Sequence, residues 1–143
     1  MKNEKRMDNN GFSLVELIIV IAIMAVLIGV LAPQYMRYVE RGRMATDNSN
    51  VVAVEGALQV HYTDTEASDQ LEDGTTVELN HGPATSSGAT AAVNEALRNA
   101  GLVPATGTVA DLPELTNQDG YDSVTITVSI DENGNVSVTD NRP

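Results

Sequence analysis

From Leu17 to Ala32 every residue is aliphatic, methionine or glycine. Wound as an α-helix at 1.5 Å per residue, Phe12 to Ala32 would measure about 32 Å, close to the ~30 Å of a bilayer's hydrocarbon core. A run of this kind is built to cross a membrane. One residue departs from the pattern: Glu16 lies a single turn inside the segment, where an acidic side chain costs about 2.5–3.5 kcal/mol. An anchor with no other duty has no use for that cost. Glu16 therefore marks function, and its partner has to be found.

Two bland readings compete for residues 1–32. The short basic leader (Lys2, Lys5, Arg6) followed by an apolar stretch has the layout of a secretory signal peptide. Against this, the apolar run exceeds the usual 7–15 residues or so, Glu16 interrupts it, and its nearest small-residue end, Val30-Leu31-Ala32, is followed at once by Pro33. A plain single-pass anchor leaves Glu16 unexplained. The basic residues do not orient the span, since three lie on the leader side and three (Arg37, Arg41, Arg43) beyond it.

Gly11, Phe12, a glutamate four residues on at Glu16, the apolar run, and then Pro33-Gln34-Tyr35 together resemble the class III signal of the type IV pilin family, which includes the pseudopilins of type II secretion and the competence pilins. The likeness covers residues 6–45. It implies a prepilin peptidase that cuts between Gly11 and Phe12 and methylates the new Phe12 amine. It implies assembly, by inner-membrane machinery, into a helical filament of identical subunits with their N-terminal helices along the axis. It also places the leader in the cytoplasm. The residues suit these roles. Gly11 has no side chain to obstruct a protease. Phe12 and Glu16 stand at i and i+4 on one helix face, and a free α-amine is largely cationic at neutral pH. The partner of Glu16 is then its own Phe12 amine or that of a neighbouring subunit.

Pro33 cannot donate a backbone hydrogen bond, and the carbonyl it leaves unpaired belongs to Gly29, itself a poor helix former. Gly29 to Pro33 is expected to be a kink; a helix end at Ala32 is the alternative. Beyond it, Met44, Val51, Val54, Leu58 and Tyr62 recur at helical spacing and predict an amphipathic continuation over 34–62 that needs a sheet to cover it. Residues 63–90 read as loop with a short strand at Thr76–Leu79 and turns at His81-Gly82-Pro83 and Ser86-Ser87-Gly88. Ala91–Ala100 reads as a helix, capped by Thr90 or Ser87 and ended by Gly101. After a loop over Pro104–Asn117, Val124–Ile130 alternates apolar and hydroxyl residues as a strand. Asp131–Asn135, centred on Asn133-Gly134, is a hairpin turn, and Val136–Val138 the return strand.

The charge is lopsided. Residues 1–43 carry six basic against four acidic groups, whereas residues 44–143 carry two basic against sixteen acidic, a net −14. A head so acidic repels nucleic acid, and no nucleic-acid partner is expected for it. With no cysteine there is no disulfide, thiolate metal site or thiol nucleophile. Oxygen-rich Asn117, Asp119 and Asp122 make Asp119-Gly120-Tyr121-Asp122 a weak calcium candidate, and Asp131–Asn133 a weaker one, since neither fits the twelve-residue calcium loop. His61 reads as a helix-surface residue and His81 as a turn residue. Leu112–Thr116 resembles a sortase signal, but no apolar tail follows and no lysine occurs after Lys5.

The expected architecture is α+β, a long N-terminal helix kinked near Pro33 and packed on a small antiparallel sheet. The divisions are a cleaved leader (1–11), a membrane or filament-core helix (12–33), its amphipathic continuation (34–62) and a head (63–143). No catalytic residue and no cofactor is expected. The resemblance implies a structural subunit of a pilus-like filament, held in the cytoplasmic membrane before assembly and at the cell surface after it. A major pseudopilin of a secretion or competence system and a membrane-tethered binding module are the alternatives.

Overall fold

The computed structural model describes residues 12–64, 71–117, 120–131 and 136–142. The elements run α1 (Leu14–Asp64), β1 (Thr76–Asn80), β2 (Thr85–Ser87), α2 (Thr90–Asn99), a 3-10 turn (Val109–Asp111), β3 (Ser123–Ile130) and β4 (Val136–Asp140). The chain divides into two compact units, Met1–Tyr38 and Val39–Pro143.

The first unit, where described, is the proximal part of α1. Every side chain from Phe12 to Tyr38 is exposed. The helix runs through Pro33 and does not stop at Ala32, so the missing donor is tolerated inside the helix. Among the described residues α1 is the one helix long and apolar enough to cross a membrane.

The second unit is a helix-on-sheet layer. The sheet order is β2-β1-β3-β4 and every pairing is antiparallel. Period-two alternation turns Val77, Leu79, Val124, Ile126 and Val128 to one face, all fully buried. Val51, Val54 and Leu58 from the distal part of α1 enter the same core, as do Val93, Ala96 and Leu97 from α2. The expected long helix on a small antiparallel sheet is thus the observed fold. The apolar stripe on α1 is truest at its centre: Val51, Val54 and Leu58 are buried, whereas Met44 and Tyr62 are only half-buried.

Three local expectations fail. Ser86 and Ser87, read as turn residues, belong to strand β2, held by backbone pairing to β1 with Val77 opposite Ser86; hydroxyl side chains carried no apolar alternation to announce it. The stretch after Pro104 contains the 3-10 turn, closed by Thr108 and Asp111 as a capping box. Neither Thr90 nor Ser87 caps α2; Ala89 occupies that position and makes no side-chain cap. The other end behaves as expected. Gly101 adopts φ +72°, with Leu102 N–H bonded to Leu97 C=O at 2.9 Å and Gly101 N–H to Arg98 C=O at 3.0 Å, a Schellman closure. The Asn133-Gly134 turn lies outside the described residues; the strands on either side pair with Ile130 opposite Val136.

Gly88 combines φ +87° with a tight contact: a Cβ there would lie 2.8 Å from Thr75 Oγ1 and 3.0 Å from Thr75 Cα. At Gly101 a Cβ would meet open space. A fragment starting at Val39 is expected to fold as a monomer, judged by circular dichroism and size exclusion. In it, Gly101→Ala should cost about 1 kcal/mol, the left-handed penalty alone. Gly88→Ala should cost distinctly more, roughly 2–4 kcal/mol, because clash adds to strain. Urea midpoints would rank the two.

Candidate functional site

Two groups of polar residues stand out, one at the start of α1 and one where the head is tied to its helix. At the start, Ser13 precedes the first helical residue and Glu16 is the third. The Glu16 carboxylate accepts the Ser13 backbone N–H at 2.9 Å, and Ser13 Oγ accepts the Val15 N–H at 3.3 Å. Glu16 thus makes its half of a capping box while Ser13 caps the second helical residue, and both bonds satisfy donors that the first helical turn leaves without partners. The carboxylate also faces the positive end of the helix dipole. The sequence reading missed Ser13, although Ser13-Leu14-Val15-Glu16 has the capping-box spacing. Phe12 is 89% exposed, and Gly11 lies outside the described residues. Gly29 and Pro33 both lie within α1, and a Cβ on Gly29 would meet nothing within 4 Å.

In the head the organising residue is Asp47, which sequence analysis passed over because an aspartate one turn before Val51 reads as solvated surface. It is fully buried. Its carboxylate accepts the Thr116 N–H and hydroxyl, each at 3.0 Å. It also accepts the Asn117 N–H at 2.8 Å and Asn117 Nδ2–H at 3.0 Å. Burial pushes the Asp47 carboxyl up, but these hydrogen bonds outweigh it and hold the group below its usual value. Asn117 then spends its own oxygen on the N–H groups of Gly120 (3.1 Å) and Tyr121 (3.2 Å), while its backbone carbonyl accepts from His81 Nε2 at 2.6 Å.

A second tie joins the chain's end to α1. Arg142 bonds Asp140 and Asn48 and lies 3.6 Å from Glu55. The Arg142 guanidinium holds Asp140 far below the usual carboxylate range. Burial, with the neighbouring Asp140, pushes Glu55 up despite Arg142.

These contacts revise the calcium reading. Asn117 is committed to Asp47, Gly120 and Tyr121, so its side-chain oxygen organises the loop itself. Asp122 is exposed, and Asp119 lies outside the described residues, as do Glu132 and Asn133. No group of three potential metal-ligating side chains occurs among the described residues. His61 corrects a second expectation. It is 5% exposed and not on the helix surface, because seven residues bring it to within about 20° of buried Val54 on the same face of α1. His81 is an exposed turn residue, as read.

Residues 6–32 match the prokaryotic N-terminal methylation motif. No curated protein and no solved structure matches the chain. The motif is the class III signal typical of type IV pilins and pseudopilins, and the α+β arrangement of long helix and antiparallel sheet is pilin-like. The chain is thus similar to type IV pilins and pseudopilins in its N-terminal motif and in its arrangement of elements.

Asp47 also sets an acid limit. A carboxyl whose value is lowered by folding contributes stability that is complete above its unfolded value near ~4 and is lost as pH falls through the lowered folded value. Glu55 has the opposite sign, its contribution fading as pH rises through its raised value. Asp47→Asn, which turns an amide toward donors that need an acceptor, should cost about 2–4 kcal/mol at neutral pH. The gap to wild type should narrow below about pH 4. Urea unfolding at neutral and acid pH measures both.

Proposed function

We propose that this chain is the structural subunit of a type IV pilus-like surface filament. The observation that carries this reading is a methylation motif leading directly into a helix whose apolar side chains have no cover within the described residues. Such a helix is compatible with lipid before assembly and with the helices of other subunits after it. The subunit first resides in the cytoplasmic membrane. Prepilin peptidase cuts between Gly11 and Phe12 and methylates the Phe12 amine, and inner-membrane machinery adds the subunit to copies of itself. Glu16 serves assembly: in low dielectric its carboxylate attracts the cationic Phe12 amine, its own or a neighbour's, with each charge offsetting the other's desolvation. Gly29 to Pro33, with a carbonyl left unpaired, is the place where the helix bends or loosens when it moves from lipid to filament. The acidic head faces outward and keeps filaments soluble.

The mature protein purified from its cells should begin at Phe12 and carry one added methyl, as shown by N-terminal sequence and intact mass. Gly11→Val, which crowds the cut, should leave uncut precursor in the membrane. A natural chain intact from Met1 would sink the reading. Shearing cells should release the chain in filaments; a chain found only in membranes would favour a pseudopilin or a tethered module.

Glu16→Gln separates assembly from processing. The amide keeps the size of the side chain and lowers the cost of burial in lipid, so cleavage should continue. Filaments should fall at least tenfold while processed subunit accumulates. Electron microscopy and quantified sheared fractions, in a strain with no wild-type copy, would decide it. Unchanged filament yield removes Glu16 from assembly.

A further inference from the structure

The β4 edge of the sheet carries a pair of carboxyl groups whose charges are not balanced. In the order β2-β1-β3-β4, strand β4 is paired on one side alone. Asp140 stands opposite buried Ile126, so period-two alternation turns it, with Val136 and Val138, to the face that packs on α1. An acid at an inward position of an edge strand has to find partners. Glu55 of α1 and Arg142 meet it there, and the side chains of Glu55, Asp140 and Arg142 are only 21%, 14% and 18% exposed.

One guanidinium serves both acids. Arg142 bonds Asp140 directly, lies 3.6 Å from Glu55, and gives its other nitrogen to the Asn48 side chain at 3.1 Å. Glu55 and Asp140 also share a hydrogen bond. An ionised carboxylate only accepts, so such a bond exists while one of the two groups holds a proton. Arg142 keeps the charge on Asp140, which leaves the proton on Glu55. The other titratable neighbour of this cluster among the described residues is Tyr121, from the segment before β3. Its hydroxyl donates to Asn48 Oδ1 at 3.0 Å, and burial and Asp47 push it up, so it stays neutral. Asp47 itself is ionised and bonded to Thr116 and Asn117.

We propose that the proton shared by Glu55 and Asp140 latches β4 to α1, and that its loss loosens this edge strand. With the proton in place, Glu55 donates to Asp140, and the helix, the strand and the chain's end form one hydrogen-bonded unit. Without it, two carboxylates face each other in a half-buried place with a single guanidinium between them, and their repulsion works against the strand. Burial first, and then Asp140, raises Glu55 above its ordinary value of 4.5. The latch is therefore complete below that value and is lost as pH rises through the raised one. Asp140 stays charged over this range, so its bond to Arg142 persists and β4 is loosened, not released. The latch lies within the unit Val39–Pro143 and needs neither membrane nor filament. Acid surroundings tighten it.

Hydrogen exchange of the full chain in detergent micelles tests the latch, with rates corrected for the intrinsic effect of pH on exchange. Between about pH 4.5 and about pH 8, protection of the Val136–Asp140 amides should fall about fivefold while that of β1 holds. In Glu55→Gln the side-chain amide can donate to Asp140 at every pH, so β4 should keep its acid level of protection throughout. Carbon-13 NMR of the Glu55 carboxyl supplies a second measurement. It should titrate above the ordinary glutamate range in the wild type and move down in Asp140→Asn, where Arg142 is left to Glu55 alone. Protection of β4 that is flat in the wild type, or that falls as steeply in Glu55→Gln, would overturn the latch. An equal fall in β1 would overturn it too, because the sheet would then open as a whole. So would a Glu55 carboxyl that titrates in the ordinary range.

Discussion

A backbone without water has to satisfy its own hydrogen bonds, and only a helix does so within one segment. The apolar stretch of α1 is suited to that constraint. From Leu17 to Ala32 the side chains offer nothing polar, and the described structure leaves them uncovered. The helix holds together through its own ladder, and its exposed surface can be placed in lipid or against other helices without leaving peptide groups unpaired. The two places where the ladder is weakest are treated differently. At the N-terminus the free donors are met by Ser13 and Glu16; at Pro33 the lost donor falls opposite Gly29, where no side chain packs.

The head has the opposite problem. A small domain with no disulfide has to hold a four-stranded sheet, one face of α1 and several loops together by burial, and small domains have little burial to spare. Polar ties supplement it at two points. Asp47 collects donors from Thr116 and Asn117, and Asn117 in turn shapes the turn through Gly120 and Tyr121. Arg142 joins the last strand to Asn48 and Glu55 on the helix. Both ties end on α1, so the long helix serves as the frame to which the loop after the 3-10 turn and the end of the chain are fastened. Buried carboxylates add little when well paired and cost a great deal when a partner is removed. For that reason these ties specify one arrangement of the head more than they add to its total stability.

The same helix thus carries two different surfaces. Its proximal part is uniformly apolar around the circumference, and its distal part is apolar on one side only. In the filament subunit proposed above, this division would let a single element serve both as an insertion device and as the spine of a folded head, and the surplus acid lies wholly beyond the apolar segment.

Much of this was legible in the sequence because its signals are local and periodic. The apolar run, the spacing of Gly11, Phe12 and Glu16, the stripe through Val51, Val54 and Leu58, and the alternation of Val124, Ile126 and Val128 each depend only on neighbours along the chain. They were enough for the long helix, the small sheet and the pilin-like class. What they could not specify depends on residues distant in sequence. Asp47 is buried because Thr116 and Asn117, some seventy positions away, bring donors to it. Strand β2 exists because β1 offers it an edge, not because Thr85, Ser86 and Ser87 prefer to be extended. A side chain's own chemistry states what it needs; only the tertiary structure decides whether water or another part of the chain supplies it.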